Sequence, residues 1–200
     1  MNIITKTTLA LALAAGTTLA APEVGQPAPA FTLTDSNGQS HNLADFKGKF
    51  VVLEWLNHGC PFVKKHYDSN NMQKLQKEYT SKDVVWLSIV SSAPGKQGHM
   101  SPAETNQAKE EKGSAATAVL LDEDGTVGQL YGAKATPELY VINPEGNLIY
   151  AGAIDDKKSV DPADVEGAAN HVKRALDEAL AGQPVSTPKT EPYGCSVKYN

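Results

Sequence analysis

The 200-residue sequence predicts an α/β fold in which helices flank a central mixed β-sheet. Two apolar runs, residues 50–56 and 84–90, are typical of buried strands. The stretch between them opens on a proline that suits a helix start, so the three segments predict a right-handed βαβ unit. Residues 139–142 and 147–151 flank a turn and predict a hairpin that adds antiparallel strands.

The first half of the chain supplies further local patterns. The alternating residues 31–34 predict a strand, and residues 35–38 form a turn. After a break at 68–70, residues 72–79 are predicted to continue the helical connection. The glycine-containing segment 91–100 is predicted to be a surface loop near the sheet edge.

The second half predicts one more strand and two helices. Residues 101–112 predict a short helix, and residues 118–121 predict a strand. From Val165 the apolar spacing is that of an amphipathic helix ending at Gly182, a residue type common beyond helix C-termini. Residues 183–200 are rich in Pro, Thr and Lys and are predicted to form a C-terminal tail.

The first twenty residues predict a secretory signal peptide. Lys6 precedes an apolar run at 9–15, and small residues follow as far as Ala20. This run is much shorter than the roughly 20 residues that a membrane span needs. We expect cleavage after Ala20, one domain over residues 21–182, and a periplasmic or secreted protein with no membrane contact after cleavage.

The composition excludes nucleic acid as a partner. The formal net charge is −5, the lysines are scattered and Arg174 is the only arginine, so no basic stripe is present. A chain of this size can build a core without disulfides, so its two cysteines need another explanation. No cofactor and no metal site is predicted, because residues 122–125 lack the later ligands of a calcium loop.

Cys60 is the residue most directly connected with chemistry. It follows the apolar run 50–56 and precedes Pro61, which suits the first helical position, so Cys60 falls at or next to a helix N-cap. The positive end of a helix favours thiolate over thiol, and Lys64 adds a cation one turn further on. This pattern predicts a nucleophile, whereas a buried structural cysteine is the alternative interpretation.

Several motifs resemble the thioredoxin fold in its redoxin form. The broad resemblance is carried by residues 51–61, 131–133 and 136–142. More closely, the segments 57–63 (Asn-His-Gly-Cys-Pro-Phe-Val) and 194–199 (Gly-Cys-Ser-Val-Lys-Tyr) resemble the peroxiredoxin-like group of the AhpC/TSA family. The resemblance spans roughly residues 24–199.

The resemblance implies a thioredoxin-like domain with thiol-disulfide oxidoreductase activity and Cys60 as its nucleophile. It also implies that Thr136-Pro137 is a cis-proline loop packed against the active thiol, where backbone groups stay free to pair with an extended substrate. The expected substrates are thiols or disulfides of proteins or small molecules. A reducing partner thiol is expected to complete the cycle.

The sequence also departs from the patterns of this superfamily. Val63 stands three residues after Cys60, where thioredoxins carry their second cysteine, so no CxxC motif is present. Leu53 and Asn57 stand where peroxidases carry an upstream proline and threonine, and Arg174 is in the final helix. We expect weak or no peroxidase activity, because few donors point at the charge that develops on a peroxide.

Cys195 is the candidate partner of Cys60, and three interpretations stay open. The pair is a structural staple, a reversible disulfide in which Cys195 is the resolving thiol, or a copper site shared with His58. His58 is also a candidate for raising the thiolate fraction of Cys60 or for protonating a leaving thiol. The rival functions are therefore a copper-binding metallochaperone module and a non-catalytic redoxin-fold binding domain.

Overall fold

A computed structural model describes residues 21–200. The predicted signal peptide, residues 1–20, lies outside the described residues. The described chain forms one seven-stranded mixed sheet covered by helices and a separate two-stranded sheet. The predicted α/β fold with a central mixed sheet is thus confirmed.

The strands are short, and most of them lie in the main sheet. They are β1 (Thr32–Asp35), β2 (Ser40–Asn42), β3 (Val51–Trp55), β4 (Val85–Val90), β5 (Ala118–Leu121), β6 (Ala135–Thr136), β7 (Glu138–Ile142), β8 (Leu148–Gly152) and β9 (Cys195–Ser196). The main sheet has the order β2-β1-β5-β4-β3-β7-β8, and β6 pairs with β9. Strands β3, β4 and β5 are parallel neighbours, whereas the other pairings of the main sheet are antiparallel.

Five α-helices connect or cover these strands in the described chain. They are α1 (Pro61–Asp68), α2 (Asn71–Thr80), α3 (Pro102–Glu111), α4 (Thr126–Tyr131) and α5 (His171–Leu180). Short 3-10 helices cover Leu43–Phe46 and Pro162–Val165. Within residues 21–200, no helix has both the length and the apolar character needed to cross a bilayer.

The last helix begins later than predicted. The expected start at Val165 is wrong, because α5 begins at His171. The side chain of Asn170 accepts a hydrogen bond of 2.8 Å from the Lys173 backbone N–H and so caps the helix there. The helix ends at Leu180, two residues before Gly182, which has a φ of +71°.

Alternation along β3 divides the core into two layers. Val52 and Leu56 pack with α1, α2 and α5 on one face of the sheet, whereas Leu53 and Trp55 pack with α4 on the other. Both faces of β3 are therefore covered, which is why its residues are nearly all apolar. This buried strand fixes the start of α1 at the carboxyl edge of the sheet.

The C-terminal tail, residues 183–200, folds back onto the domain. The backbone N–H of Ala151 in β8 donates to Pro188 O at 3.1 Å, and the N–H of Thr190 donates to Ala151 O at 3.1 Å. From this edge the chain continues to β9, which pairs with β6. The tail therefore crosses from the rim of the main sheet to the start of α1.

Candidate active site

Cys60 is the N-cap residue of α1. Its backbone is extended, with φ −77° and ψ 126°, and Pro61 opens the helix. A tight turn delivers it there, because Asn57 O accepts from the Cys60 N–H at 3.0 Å and the Asn57 side chain accepts from the Gly59 N–H at 2.8 Å. The side chain of Cys60 is fully buried, with 0% of its surface exposed.

The loop after β4 is fastened to this turn. The side chain of Asn57 donates to Gln97 O at 3.2 Å, and the side chain of Gln97 donates back to Gly59 O at 3.1 Å. Gly98, with a φ of +90°, lies so close to the Asn57 amide that a side chain there would overlap it. The predicted surface loop 91–100 therefore forms one wall of the Cys60 turn.

The Thr136-Pro137 peptide bond is cis and lies beside the Cys60 sulfur. The Cys60 thiol donates a hydrogen bond of 3.1 Å to Thr136 O. Sequence motifs 76 residues apart thus meet at one point, as the resemblance implied.

The tail places the second cysteine at the same point. Strand β9 runs antiparallel to β6, with Cys195 opposite Thr136 and Ser196 opposite Ala135. Gly194 has a φ of +142°, and a Cβ there would overlap the carbonyl of Thr136, so only glycine allows this approach. Both cysteines are free thiols, and Cys195 is partly exposed while Cys60 is buried.

The pKa values of the two thiols are shifted in opposite directions. Burial raises the pKa of Cys60, but hydrogen bonds from the Cys195 side chain, the Val63 N–H and the Cys195 backbone outweigh it and hold the pKa below its ordinary value of 9.0. For Cys195, burial and then the neighbouring Cys60 raise the pKa to about 11. The pair therefore holds its first negative charge on Cys60.

The other predicted site residues lie around this pair without touching the thiols by hydrogen bonds in the described chain. The Lys64 backbone N–H donates to Cys60 O at 2.9 Å, but its side chain is exposed. The ring of His58 packs edge-on against Tyr67, with centroids 5.1 Å apart. Burial, with a smaller contribution from the charge of Lys112, lowers the pKa of His58 to about 4, so this imidazole is neutral at pH 7. Its proposed role toward Cys60 stays a prediction.

A buried carboxylate that the sequence analysis did not single out lies behind α1. Glu54, in β3, is fully buried and accepts four hydrogen bonds. The Tyr67 hydroxyl donates to Oε1 at 2.9 Å, while Gln76, Trp86 and Ser88 donate to Oε2 at 3.1, 2.8 and 2.9 Å. Burial raises the pKa of Glu54, and these four donors oppose that rise. Glu54 thereby ties α1 and α2 to the central strands.

No three His, Cys, Asp or Glu side chains of residues 21–200 are grouped as metal ligands. Cys60, Cys195 and the Thr136 carbonyl are the groups that the fold brings together. Two adjacent thiols of unlike pKa beside a backbone strand can exchange disulfides with an extended partner. The geometry thus defines a candidate thiol-disulfide site.

Comparison with known proteins assigns the family. A model of the AhpC/TSA family matches residues 24–151, more than half of the chain. The chain belongs to the AhpC/TSA family. The match contains Cys60 and Thr136-Pro137, whereas α5 and Cys195 lie beyond it.

Thiol-disulfide oxidoreductases are among the relatives of this AhpC/TSA member. The thiol-disulfide oxidoreductase ResA of Bacillus subtilis (strain 168) is 28% identical over 125 residues, which cover 62% of this chain and 64% of ResA. The aligned part thus spans less than two thirds of that relative's length. This AhpC/TSA member is therefore a redoxin-type protein whose relatives include thiol-disulfide oxidoreductases.

Solved structures confirm the thioredoxin-like fold. An uncharacterized conserved protein from Geobacillus kaustophilus has a TM-score of 0.76 and 28% identity, covering 89% of this chain and 93% of its own. The thioredoxin domain of a thiol-disulfide oxidoreductase from Bacteroides vulgatus has a TM-score of 0.52 at 22% identity, covering 72% of this chain and 96% of its own. The fold expected for an AhpC/TSA redoxin is therefore present.

Proposed function

We propose that this protein is an exported thiol-disulfide oxidoreductase of the peroxiredoxin-like redoxin type, with Cys60 as nucleophile and Cys195 as resolving thiol. The observation that carries the proposal is the register of β6 and β9, which sets Cys195 opposite Thr136, the residue whose carbonyl accepts from Cys60. A purely structural cysteine needs no partner thiol of such different pKa beside it.

The proposed reaction moves two electrons from the cysteine pair to a substrate disulfide. The Cys60 thiolate attacks one substrate sulfur, the substrate S–S bond breaks, and the other substrate sulfur leaves as a thiolate that takes a proton from water. Cys195 then loses its proton to solvent and attacks Cys60 Sγ, which releases the second substrate thiolate and forms the Cys60–Cys195 disulfide. A reducing partner dithiol restores both thiols by the same exchange in reverse.

The order of the two steps follows from the charges. While Cys60 is a thiolate it raises the pKa of Cys195, so Cys195 is held as a thiol. Once Cys60 is in a mixed disulfide it carries no charge, and that contribution to the Cys195 pKa disappears. Cys195 therefore gains thiolate character when an adduct at Cys60 needs resolving.

Trapping with oxidised glutathione tests the proposal. Reduced Cys195→Ser protein is expected to accumulate one glutathione on Cys60, whereas wild type is expected to pass through that adduct to the internal disulfide. Intact-mass spectrometry after acid quenching distinguishes the two products, and Cys60→Ser is the matched control that should form neither at a comparable rate. A stable glutathione adduct on wild type, with no internal crosslink, would refute Cys195 as the resolving thiol.

Export and domain boundaries are part of the same proposal. Residues 1–20 are proposed to be a signal peptide, residues 21–182 the redoxin domain and residues 183–200 the arm that carries Cys195. The support is the apolar run of the leader, the family match over 24–151 and the pairing of the tail with β6. The mass of protein taken from the periplasm of an expressing bacterium tests the leader, because a chain that begins at Ala21 is expected and an intact leader contradicts it.

A further inference from the structure

The tail carries a buried tyrosine two residues before Cys195. Tyr193 is 8% exposed, and its hydroxyl donates a hydrogen bond to Asp155 Oδ1. The same hydroxyl lies 3.3 Å from Nε2 of His66. Tyr193 is thus anchored by polar contacts in the core, although the residues before it in the tail are mostly exposed.

Tyr193 packs against one side of α1, the helix whose N-cap residue is Cys60. Its ring packs edge-on against Phe62, with centroids 5.7 Å apart, and the Lys65 ammonium lies 5.8 Å from its centroid. Phe62, Lys65 and His66 are spaced i, i+3 and i+4, so they share one side of α1. One rigid helix therefore presents Cys60 at its N-terminus and holds Tyr193 on its side.

The acceptor of the tyrosine hydroxyl is a buried charge. Asp155 Oδ1 also accepts from the Lys157 N–H at 3.0 Å, while Oδ2 lies 3.6 Å from Lys65 Nζ and makes no hydrogen bond within the described chain. Lys65 Nζ in turn donates to Lys157 O at 2.7 Å. Tyr193 is therefore one of only two hydrogen-bond donors to this carboxylate among residues 21–200.

We propose that Tyr193 is the positioning residue that holds Cys195 against Cys60 and keeps Cys60 shielded until the tail is released. The inference deepens the proposed function and rests on it for the role of Cys195. Only Gly194 separates the anchor from the thiol, so a fixed Tyr193 leaves Cys195 little freedom. Releasing Tyr193 removes β9 from β6 and exposes Cys60 to a substrate.

Loss of the hydroxyl is expected to weaken docking by about tenfold or more, since a buried hydrogen bond to a charged group is worth at least that in an equilibrium constant. A buried thiol reacts only while the tail is released. Its alkylation rate therefore rises in proportion as docking weakens.

The first experiment measures iodoacetamide alkylation of Cys60 in a Cys195→Ser background, where no disulfide can form. Adding Tyr193→Phe is expected to accelerate alkylation about tenfold. The matched control is Tyr79→Phe in the same background. The buried Tyr79 hydroxyl donates to Asp177 Oδ1 at 2.8 Å, away from the tail, so its removal is expected to leave the rate unchanged.

Equal rates with and without Tyr193→Phe, or equal acceleration by Tyr79→Phe, overturn the proposal. Because no disulfide is involved, this outcome does not depend on whether Cys195 is a resolving thiol. Should Tyr193→Phe fail to fold, Phe62→Leu keeps the test open, since it removes the ring contact and leaves the helix intact. It is expected to accelerate alkylation about threefold, and no acceleration counts against the anchor.

The second experiment connects the anchor with the chemistry. In the protein with both cysteines, Tyr193→Phe is expected to lengthen the lifetime of the Cys60–glutathione adduct by up to about tenfold, because Cys195 spends less time in place; the full factor applies where the glutathione on Cys60 keeps the tail mostly released. Tyr79→Phe is again the control. An unchanged lifetime together with faster alkylation of Cys60 shows that the anchor shields Cys60 without positioning Cys195, and overturns that half of the proposal.

Discussion

Thr136 connects the two thiols at the scale of single residues. Its carbonyl accepts a hydrogen bond from the Cys60 thiol, its backbone pairs with Cys195, and its hydroxyl donates to Cys195 O at 3.4 Å. Cys60 therefore has an acceptor while it is a thiol and, from Val63 and Cys195, donors once it is a thiolate. Both protonation states of Cys60 have partners, as a nucleophile that gains and loses charge requires.

The unequal pKa values predict two separate thiolate transitions. In wild type, ultraviolet absorbance near 240 nm is expected to rise first below pH 9.0 for Cys60 and again near pH 11 for Cys195. Cys195→Ser should keep the first transition and lose the second. Loss of the first transition in that variant would assign the more acidic thiol to Cys195 and contradict the proposed order of attack.

Peroxide chemistry is expected to be weak at the same residue. The donors to Cys60 are Cys195, the Val63 backbone and the Thr136 side chain, whereas Arg174 is in α5 and its guanidinium lies 3.3 Å from His171 Nδ1. No cation is thus bonded to the thiol within residues 21–200. Stopped-flow oxidation of reduced protein by hydrogen peroxide should be orders of magnitude slower than in a dedicated peroxidase measured beside it. Comparable rates contradict this expectation.

Site residues that lie in a recognisable local sequence pattern were predicted, whereas a buried carboxylate whose hydrogen-bond partners are distant in sequence was missed. Cys60 before Pro61 fixes its own position at a helix start, and the Thr136-Pro137 loop was implied by a short motif. Glu54 did carry a signal, because it is the only charged residue in the run 50–56. Its four donors come from α1, α2 and β4, and their convergence is a property of the folded chain.

At the scale of elements, the two shortest strands define the site. β6 and β9 have two residues each, too few for an alternation pattern to predict. The six-residue α4 was also not predicted, although the turn at 122–125 leads into it: Asp122 accepts from the Gly128 N–H at 2.8 Å and holds its first turn. Most of the long strands and helices were predicted because each buries a face that shows in its own sequence; α3 is an exception, since Thr105 is its only buried residue.

Gly194→Ala is predicted to undock β9. The added methyl group meets the Thr136 carbonyl and the backbone is held at a φ of +142°, so the docked state should lose about 1–3 kcal/mol. In the Cys195→Ser background, Cys60 should therefore alkylate at least about fivefold faster. Gly182→Ala is the control, because Gly182 also has positive φ, +71°, but no atom lies within 4 Å of its added Cβ. Equal rates in the two variants would contradict the close approach of β9 to β6.

At the scale of the whole molecule, the tail joins parts that lie far apart in sequence. It pairs with β8 at Pro188, seats Tyr193 on α1 and ends with the Tyr199 hydroxyl donating to Ala133 O at 2.8 Å. Sequence composition predicted a tail and left its docking open, because its anchors are single residues separated by exposed ones. Because Tyr193 is buried in the core, docking of the tail and stability of the core depend on each other.

His66, which lies beside Tyr193 in the core, is predicted to make the folded protein less stable in mild acid. Burial lowers its pKa from 6.5 to about 4, Asp155 opposes this shift and Lys65 adds to it, while Tyr193 and Asn71 occupy the ring nitrogens. Between pH 6.5 and 4 the unfolded chain binds a proton at this residue that the folded chain does not. The contribution of His66 is therefore fully present above 6.5 and is lost as the pH falls toward 4.

Urea unfolding of wild type and His66→Gln at pH 7 and pH 5 measures this contribution of His66 to the free energy of unfolding. Between these pH values, wild type should lose about 2 kcal/mol more than the variant, which is the 1.5-unit interval from 6.5 to 5 at about 1.4 kcal/mol per unit. Comparing the two proteins cancels the opposite contributions of buried acids with raised pKa, such as Glu54 and Glu138. His171→Gln is the control, because His171 is less buried and should remove a smaller part of the slope. Equal losses in wild type and His66→Gln would mean that His66 accepts its proton without disturbing the core or the tail seated on it.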